Sequence, residues 1–181
     1  VSLVAGAAPE DYIDRNGHGT AVAAAIREKA PDAELIAVKI FDRELTAASG
    51  DLARAIQWAA GQQVHLVNLS LGTTNPAHAE RLGRALLVAQ DAGAAVIAAA
   101  TQGGLPSLPG SLQPVIAVEV DWQCARDDVI VDGAAPLVIR IRASGFPRPI
   151  PGVPPERNLK GISFAVANAT GAIARVLTHG R

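Results

Sequence analysis

Gly161-Ile162-Ser163-Phe164-Ala165-Val166-Ala167-Asn168-Ala169-Thr170-Gly171 carries no charge and leads into Ala172-Ile173-Ala174-Arg175-Val176-Leu177. Apart from the glycines these residues tolerate a buried helix, so a helix is expected from this point onward. A hydroxyl at a helix start has two uses. It can accept a backbone N–H bond as a cap, or it can be a nucleophile where the positive end of the helix dipole favours developing negative charge. The stretch alone leaves both readings open, and the rest of the chain decides between them.

Working outward, apolar runs of strand length alternate with helical spacing. Val1-Ser2-Leu3-Val4 is a short apolar piece, followed by a polar loop over 9–16. A compact helix is expected from Thr20 to about Lys29. Leu35-Ile36-Ala37-Val38-Lys39-Ile40 reads as a strand buried on both faces. Ser49-Gly50-Asp51 offers a cap and a first-turn acid for a helix over 51–60, with Leu52, Ala55, Ile56 and Ala59 at helical spacing. Strands are expected over 64–70, 94–100, 115–120 and 137–142. A helix is expected from Pro76 to about Asp91, and a glycine-rich loop over 101–104. Five prolines and two glycines make 143–160 a long irregular loop. This alternation predicts an α/β fold, a mainly parallel sheet with helices on both faces. Residues 1–181 are expected to form a single domain, with function gathered in loops at the carboxyl ends of the strands.

Composition excludes several function classes. Sixteen basic against 17 acidic residues give a net charge of −1, which supplies no electrostatic reason to expect nucleic acid or an anionic membrane surface as a partner. No uninterrupted apolar run approaches the roughly 18 residues of a membrane span. Cys124 is the only cysteine, so there is no internal disulfide framework, and it is expected to serve as a small hydrophobe. The chain contains no methionine, and is expected to be a processed or truncated product that opens inside an element. Secretion and a cytoplasmic location are both compatible with it.

Four loop segments carry chemistry-bearing residues. Asn16-Gly17-His18-Gly19-Thr20 sets an imidazole between two glycines at a loop-to-helix junction, where other groups can approach the ring closely. Asn68-Leu69-Ser70-Leu71-Gly72 ends a strand with small residues, which leaves backbone groups free to pair with an extended peptide. Residues 98–104 end another strand in a loop rich in N–H groups with an amide at Gln102. The Ser163 stretch is the fourth.

In this order the segments resemble the subtilisin-like serine protease (subtilase, peptidase S8) family. Gly17-His18-Gly19-Thr20-Ala21-Val22-Ala23 is similar to its histidine motif, and Asn68-Leu69-Ser70-Leu71-Gly72 to its substrate-binding strand. Ala98-Ala99-Ala100, Val115-Ile116-Ala117-Val118 and the Gly161–Gly171 stretch match further motifs in register. The resemblance implies a three-layer subtilisin-like fold and an endopeptidase working through an acyl-enzyme. In it His18 would be general base, Ser163 nucleophile, and Gln102 with the Ser163 backbone N–H the oxyanion donors; Ser70, Leu71 and Gly72 would hold the peptide substrate. It implies no cofactor and no metal. The link from Ile26 to Leu35 is too short for the calcium-binding loop many members insert there, and no histidine or cysteine pair has zinc-ligand spacing.

The departures from the family are as informative. Only 17 residues precede His18, and neither Asp11 nor Asp14 follows an apolar strand, so neither is assigned as the triad acid. The acid is expected on a strand absent from this chain, lost by cleavage or carried by a second chain. Gln102 stands where the family has asparagine, and Ala167-Asn168 where it has Pro-His. A non-catalytic relative, binding peptides or serving as a partner subunit, is the alternative. Of the other histidines, His65 is expected within a strand, and His78 and His179 in solvent.

Overall fold

The computed structural model describes residues 1–4, 7–44, 47–135 and 138–179. Four helices, α1 (His18–Lys29), α2 (Ser49–Gly61), α3 (Ala79–Asp91) and α4 (Ile162–His179), surround a five-stranded sheet. Its strands are β1 (Leu66–Leu69), β2 (Ala95–Ala99), β5 (Val115–Val120), β6 (Val129–Ala135) and β7 (Val138–Ala143), in the order β1-β2-β5-β7-β6. Pairing is parallel from β1 through β7, and β6 closes the far edge antiparallel to β7. A two-stranded hairpin, β3 (Thr101–Gln102) with β4 (Leu105–Pro106), projects beyond β2.

Strand alternation divides the core in two. Val96, Ala98 and Val115 face α2 and α3, where they meet Leu52, Ile56, Leu82 and Leu86. Ile97, Ala99, Val118 and Ile141 face Ala165, Val166 and Ala169 of α4 on the other side. Outside α4 lies α1, joined to it through Val22, Ala25, Ile26, Phe164 and Ala167. The fold is α/β with helices on both faces of a mainly parallel sheet.

Small residues set the α1–α4 distance. A Cβ at Gly171 would lie 3.1 Å from the Ile26 carbonyl oxygen and 3.0 Å from Lys29 Cβ. The far end of α1 is tied down by ion pairs, Lys29 Nζ to Asp127 at 3.1 Å and Arg126 to Glu28. Asn168, fully buried in α4, donates through Nδ2 to the carbonyls of Ser144 (2.7 Å) and Phe146 (3.0 Å). Between those two residues, the Gly145 carbonyl accepts the Gly161 N–H at 2.9 Å. The loop leaving β7 is thereby clamped to the start of α4.

Several elements differ from their sequence expectation. Leu35–Ile40 forms no strand. Its backbone bonds to Val1 and Leu3 on one side, with Lys39 N donating to the Val1 carbonyl at 2.9 Å, and Ile36 is 46% exposed. No sheet strand meets its other side among the described residues, so the pattern lacks the partner it needs to be buried. The expected loop over 101–104 is a hairpin, because Gly103 (φ 58) and Gly104 (φ 78) form a tight two-residue turn. β6 was not expected at all; Asp132-Gly133 interrupts its apolar run at the irregularity between Val131 and Gly133. The helix expected from Pro76 opens with a 3₁₀ turn over Pro76–His78 before α3. His65 precedes β1 and is exposed. Leu137 and the His179 side chain lie outside the described residues.

Candidate active site

His18 is the first residue of α1, and Gly17 before it takes the left-handed conformation (φ 82) that turns the loop into the helix. Asp14 supplies the cap. Its carboxylate accepts the N–H groups of Thr20 (2.7 Å), Gly17 (2.8 Å) and Asn16 (3.1 Å), and the Thr20 hydroxyl at 2.7 Å. Partial burial opposes its charge, but the bonds from Thr20, Gly17 and Asn16 outweigh that and hold its pKa down at about 2. Both carboxylate oxygens of Asp14 are thus spent on the loop and the first turn of α1. Burial pushes the His18 imidazole below its ordinary pKa, and the nearby Asp14 charge partly offsets this. The ring is therefore neutral at pH 7, the form able to take a proton.

Ser163 sits in the first turn of α4, behind Gly161, whose φ of 147 requires a glycine. No acceptor among the described residues takes the Ser163 N–H, so it faces out with the positive end of the helix. The next residue, Phe164, is buried with its ring centroid 6.0 Å from that of His18. Packing of α1 on α4 thus brings the imidazole to the neighbour of the serine. Among the described residues no hydrogen bond joins His18 to Ser163; the hydroxyl instead donates to the Ser70 carbonyl at 3.1 Å.

Ser70 and Ser163 are bonded in both directions, since Ser70 Oγ donates to the Ser163 carbonyl at 2.9 Å. Behind them runs a polar chain through the core. Asn68 Nδ2 donates to Ser70 Oγ (3.0 Å), and the Thr170 hydroxyl lies 3.0 Å from Asn68 Oδ1 and 2.8 Å from the Val166 carbonyl. Sequence reading missed these roles, as it did those of Asn168 and Phe164. Their signal was polar residues, Asn68, Asn168 and Thr170, inside otherwise apolar elements.

Beyond Ser70 the chain stays extended. Thr73 pairs with Leu108 through both backbone groups, at 3.0 and 2.8 Å. By alternation, the backbone groups of Ser70 and Gly72 point to the opposite edge, where the Ser70 carbonyl accepts the Ser163 hydroxyl. Gly72 must be glycine: a Cβ there would lie 2.5 Å from Ser107 Oγ and 2.7 Å from the Leu108 carbonyl oxygen. Leu71 leans on the core against the α2–α3 cluster. Gln102 is exposed on β3 opposite Leu105, and no hydrogen bond joins it to His18 or Ser163 among the described residues. The structure thus links Ser70 directly to Ser163, sets His18 beside them through Phe164, and leaves Gln102 on its hairpin. His78, expected in solvent, is half-buried and paired through Nδ1 with Ser49 Oγ at 3.1 Å.

The family model described as "Subtilase family" matches residues 5–131. The chain belongs to the subtilase family. A thermostable alkaline protease of Halalkalibacterium halodurans is 34% identical over 128 residues, covering 63% of this chain and 35% of that protein. Subtilisin BL of Lederbergia lenta is 31% identical over 174 residues, covering 90% of this chain and 64% of that protein. This subtilase chain therefore spans about a third and under two thirds of the length of those two relatives. The solved structure of a prenylagaramide maturation protease matches with a TM-score of 0.71 at 27% identity, covering 99% of this chain and 68% of that one.

Proposed function

We propose that the chain is the histidine- and serine-bearing part of a serine endopeptidase that cleaves peptide bonds through an acyl-enzyme. Ser163 Oγ attacks the carbonyl while His18 takes its proton and later returns it to the leaving amine. The Ser163 N–H, with Gln102 once the hairpin closes on substrate, stabilises the oxyanion. Ser70 and Gly72 pair with the peptide main chain. The observation that carries this reading is the contact between the His18 and Phe164 rings, one residue from a serine whose N–H is unspent. Asp14 is committed to capping, so the carboxylate that orients His18 is proposed to come from a further segment, its own N-terminal piece or a second chain. That segment would lie between β1 and Leu35–Ile40, each of which has no strand paired on one side among the described residues.

A second reading has one observation in its favour. The Ser163 hydroxyl bonds to the Ser70 carbonyl rather than to an imidazole, as suits a subtilase scaffold that binds peptides without cutting them. Reaction with a fluorophosphonate probe, compared with Ser163→Ala, separates the two, and intact-mass analysis identifies any co-purifying acid-bearing peptide. Labelling confined to Ser163 is expected. Absence of labelling in the presence of such a peptide would leave the binding scaffold as the function.

A further inference from the structure

Asn16-Gly17 is the chain's only asparagine–glycine pair, and both residues are exposed immediately before α1. An asparagine in front of glycine can react with its own backbone. The Gly17 nitrogen attacks Asn16 Cγ, since glycine has no Cβ to hinder the approach and the two groups already belong to one short stretch of chain. The nitrogen gives up its proton, the side-chain amide leaves as ammonia, and a five-membered imide closes. Water then adds to either imide carbonyl and opens the ring, to an aspartate or to an isoaspartate whose backbone is one carbon longer. The other asparagines are poorer candidates. Asn68 and Asn158 precede leucine, Asn168 precedes alanine, and Asn75 precedes a proline, which has no N–H to lose.

In the folded loop the two reacting groups are engaged elsewhere. The Gly17 N–H is donated to Asp14 Oδ1 at 2.8 Å, while Asn16 Nδ2 donates to the Arg43 carbonyl at 3.3 Å. To attack, the nitrogen must shed the proton that Asp14 accepts and carry negative charge beside a carboxylate, which like charge opposes. Asp14 Oδ1 also takes the Asn16 N–H at 3.1 Å, so one oxygen fixes the peptide groups on both sides of the Asn16 Cα. We propose that Asn16 is a site of spontaneous deamidation, and that Asp14 holds the reaction back by keeping the Gly17 N–H.

The reaction would undo the loop that restrains it. The imide nitrogen has no hydrogen for Asp14, and the carboxylate that follows has none for the Arg43 carbonyl and meets Asp14 with like charge. Both ties are lost two residues before His18. Nothing in the step uses Ser163, so the proposal stands apart from the peptide-cutting reading.

The test incubates the full chain with Ser163→Ala, which prevents self-cleavage, at mildly alkaline pH below its melting temperature. Each asparagine is followed by peptide mass mapping, and isoaspartate is identified with an isoaspartyl methyltransferase. Asn16 should convert before any other asparagine. Adding Asp14→Ala should speed it about tenfold, the equivalent of roughly 1.4 kcal/mol. Asp14→Asn, which can still accept the N–H but carries no charge, should fall between. Thr20→Val loosens the cap and spares the bond to Gly17, so it should change the rate less than about twofold. Unfolding the parent chain in urea should speed Asn16 at least as much as Asp14→Ala, which reads the restraint even if that variant does not fold. Conversion of another asparagine first, an Asn16 rate unchanged by both Asp14→Ala and urea, or an equal gain in Thr20→Val would overturn the proposal.

Discussion

At the scale of single residues, the histidine loop shows how one carboxylate serves two ends. Asp14 caps α1 and, by its charge, keeps the His18 imidazole from falling further in pKa. Its folded pKa of about 2 lies below the ordinary 3.8, so its contribution to stability is complete above pH 4 and lost as pH falls through 2. Asp14→Asn should cost about 1 kcal/mol, since the site is exposed and screened, measured by urea denaturation at pH 7. The deficit should shrink as pH falls through 2 and vanish below it, where the wild-type group is itself protonated. The same variant should move the acid limb of any Ser163 labelling profile to lower pH, because the imidazole loses the charge that raises it. A limb that stays put would mean Asp14 and His18 are not coupled. The capping role was not legible beforehand: the sequence shows an aspartate near a histidine, and only the loop geometry shows which N–H groups its carboxylate takes.

Elements were legible where local chemistry decides them. α2 runs Ser49–Gly61 rather than 51–60 and is capped at Ala48 with no side-chain bond, so Ser49 is not the cap its sequence suggested. Asp51 does stand in the first turn, and the four apolar positions marked by the spacing are buried. Leu35–Ile40 shows the opposite case, because a strand is a property of two neighbours and sequence pattern reveals only one of them. Gln102 was read as a loop amide, but the two glycines after it close a hairpin. In the Ser163 region the fold depends on contacts that pattern cannot show. Asn168→Ala removes the donors to the Ser144 and Phe146 carbonyls and leaves the first buried and the second partly buried, which should cost about 2–3 kcal/mol in denaturant unfolding. It should also slow Ser163 labelling, since Gly161 is held by the same loop; a variant that loses stability with unchanged labelling would separate the clamp from the nucleophile. Gly72→Ala should cost about 1–3 kcal/mol by forcing Thr73 off Leu108.

Across the whole molecule, the sheet is buried at its centre and open at one side. Amides of residues 36–40 should exchange with deuterium far faster than those of β2, which is paired on both edges. An added acid-bearing strand should slow exchange in 36–40 and β1 together; protection of only one of them would mean the strand docks elsewhere. The α1–α4 contact has a different kind of consequence. His18 and Ser163 stand at the starts of two helices whose separation is fixed by Gly171 against Ile26, atom against atom. Neither acid nor salt loosens a steric stop of this kind. Thermal expansion does, and an outward drift of α1 by a fraction of an ångström would widen the gap between imidazole and hydroxyl while the sheet is still intact. In the proposed endopeptidase, the highest temperature at which Ser163 still takes the fluorophosphonate probe would then be set by the gap between two helices, several degrees below the melting of the sheet.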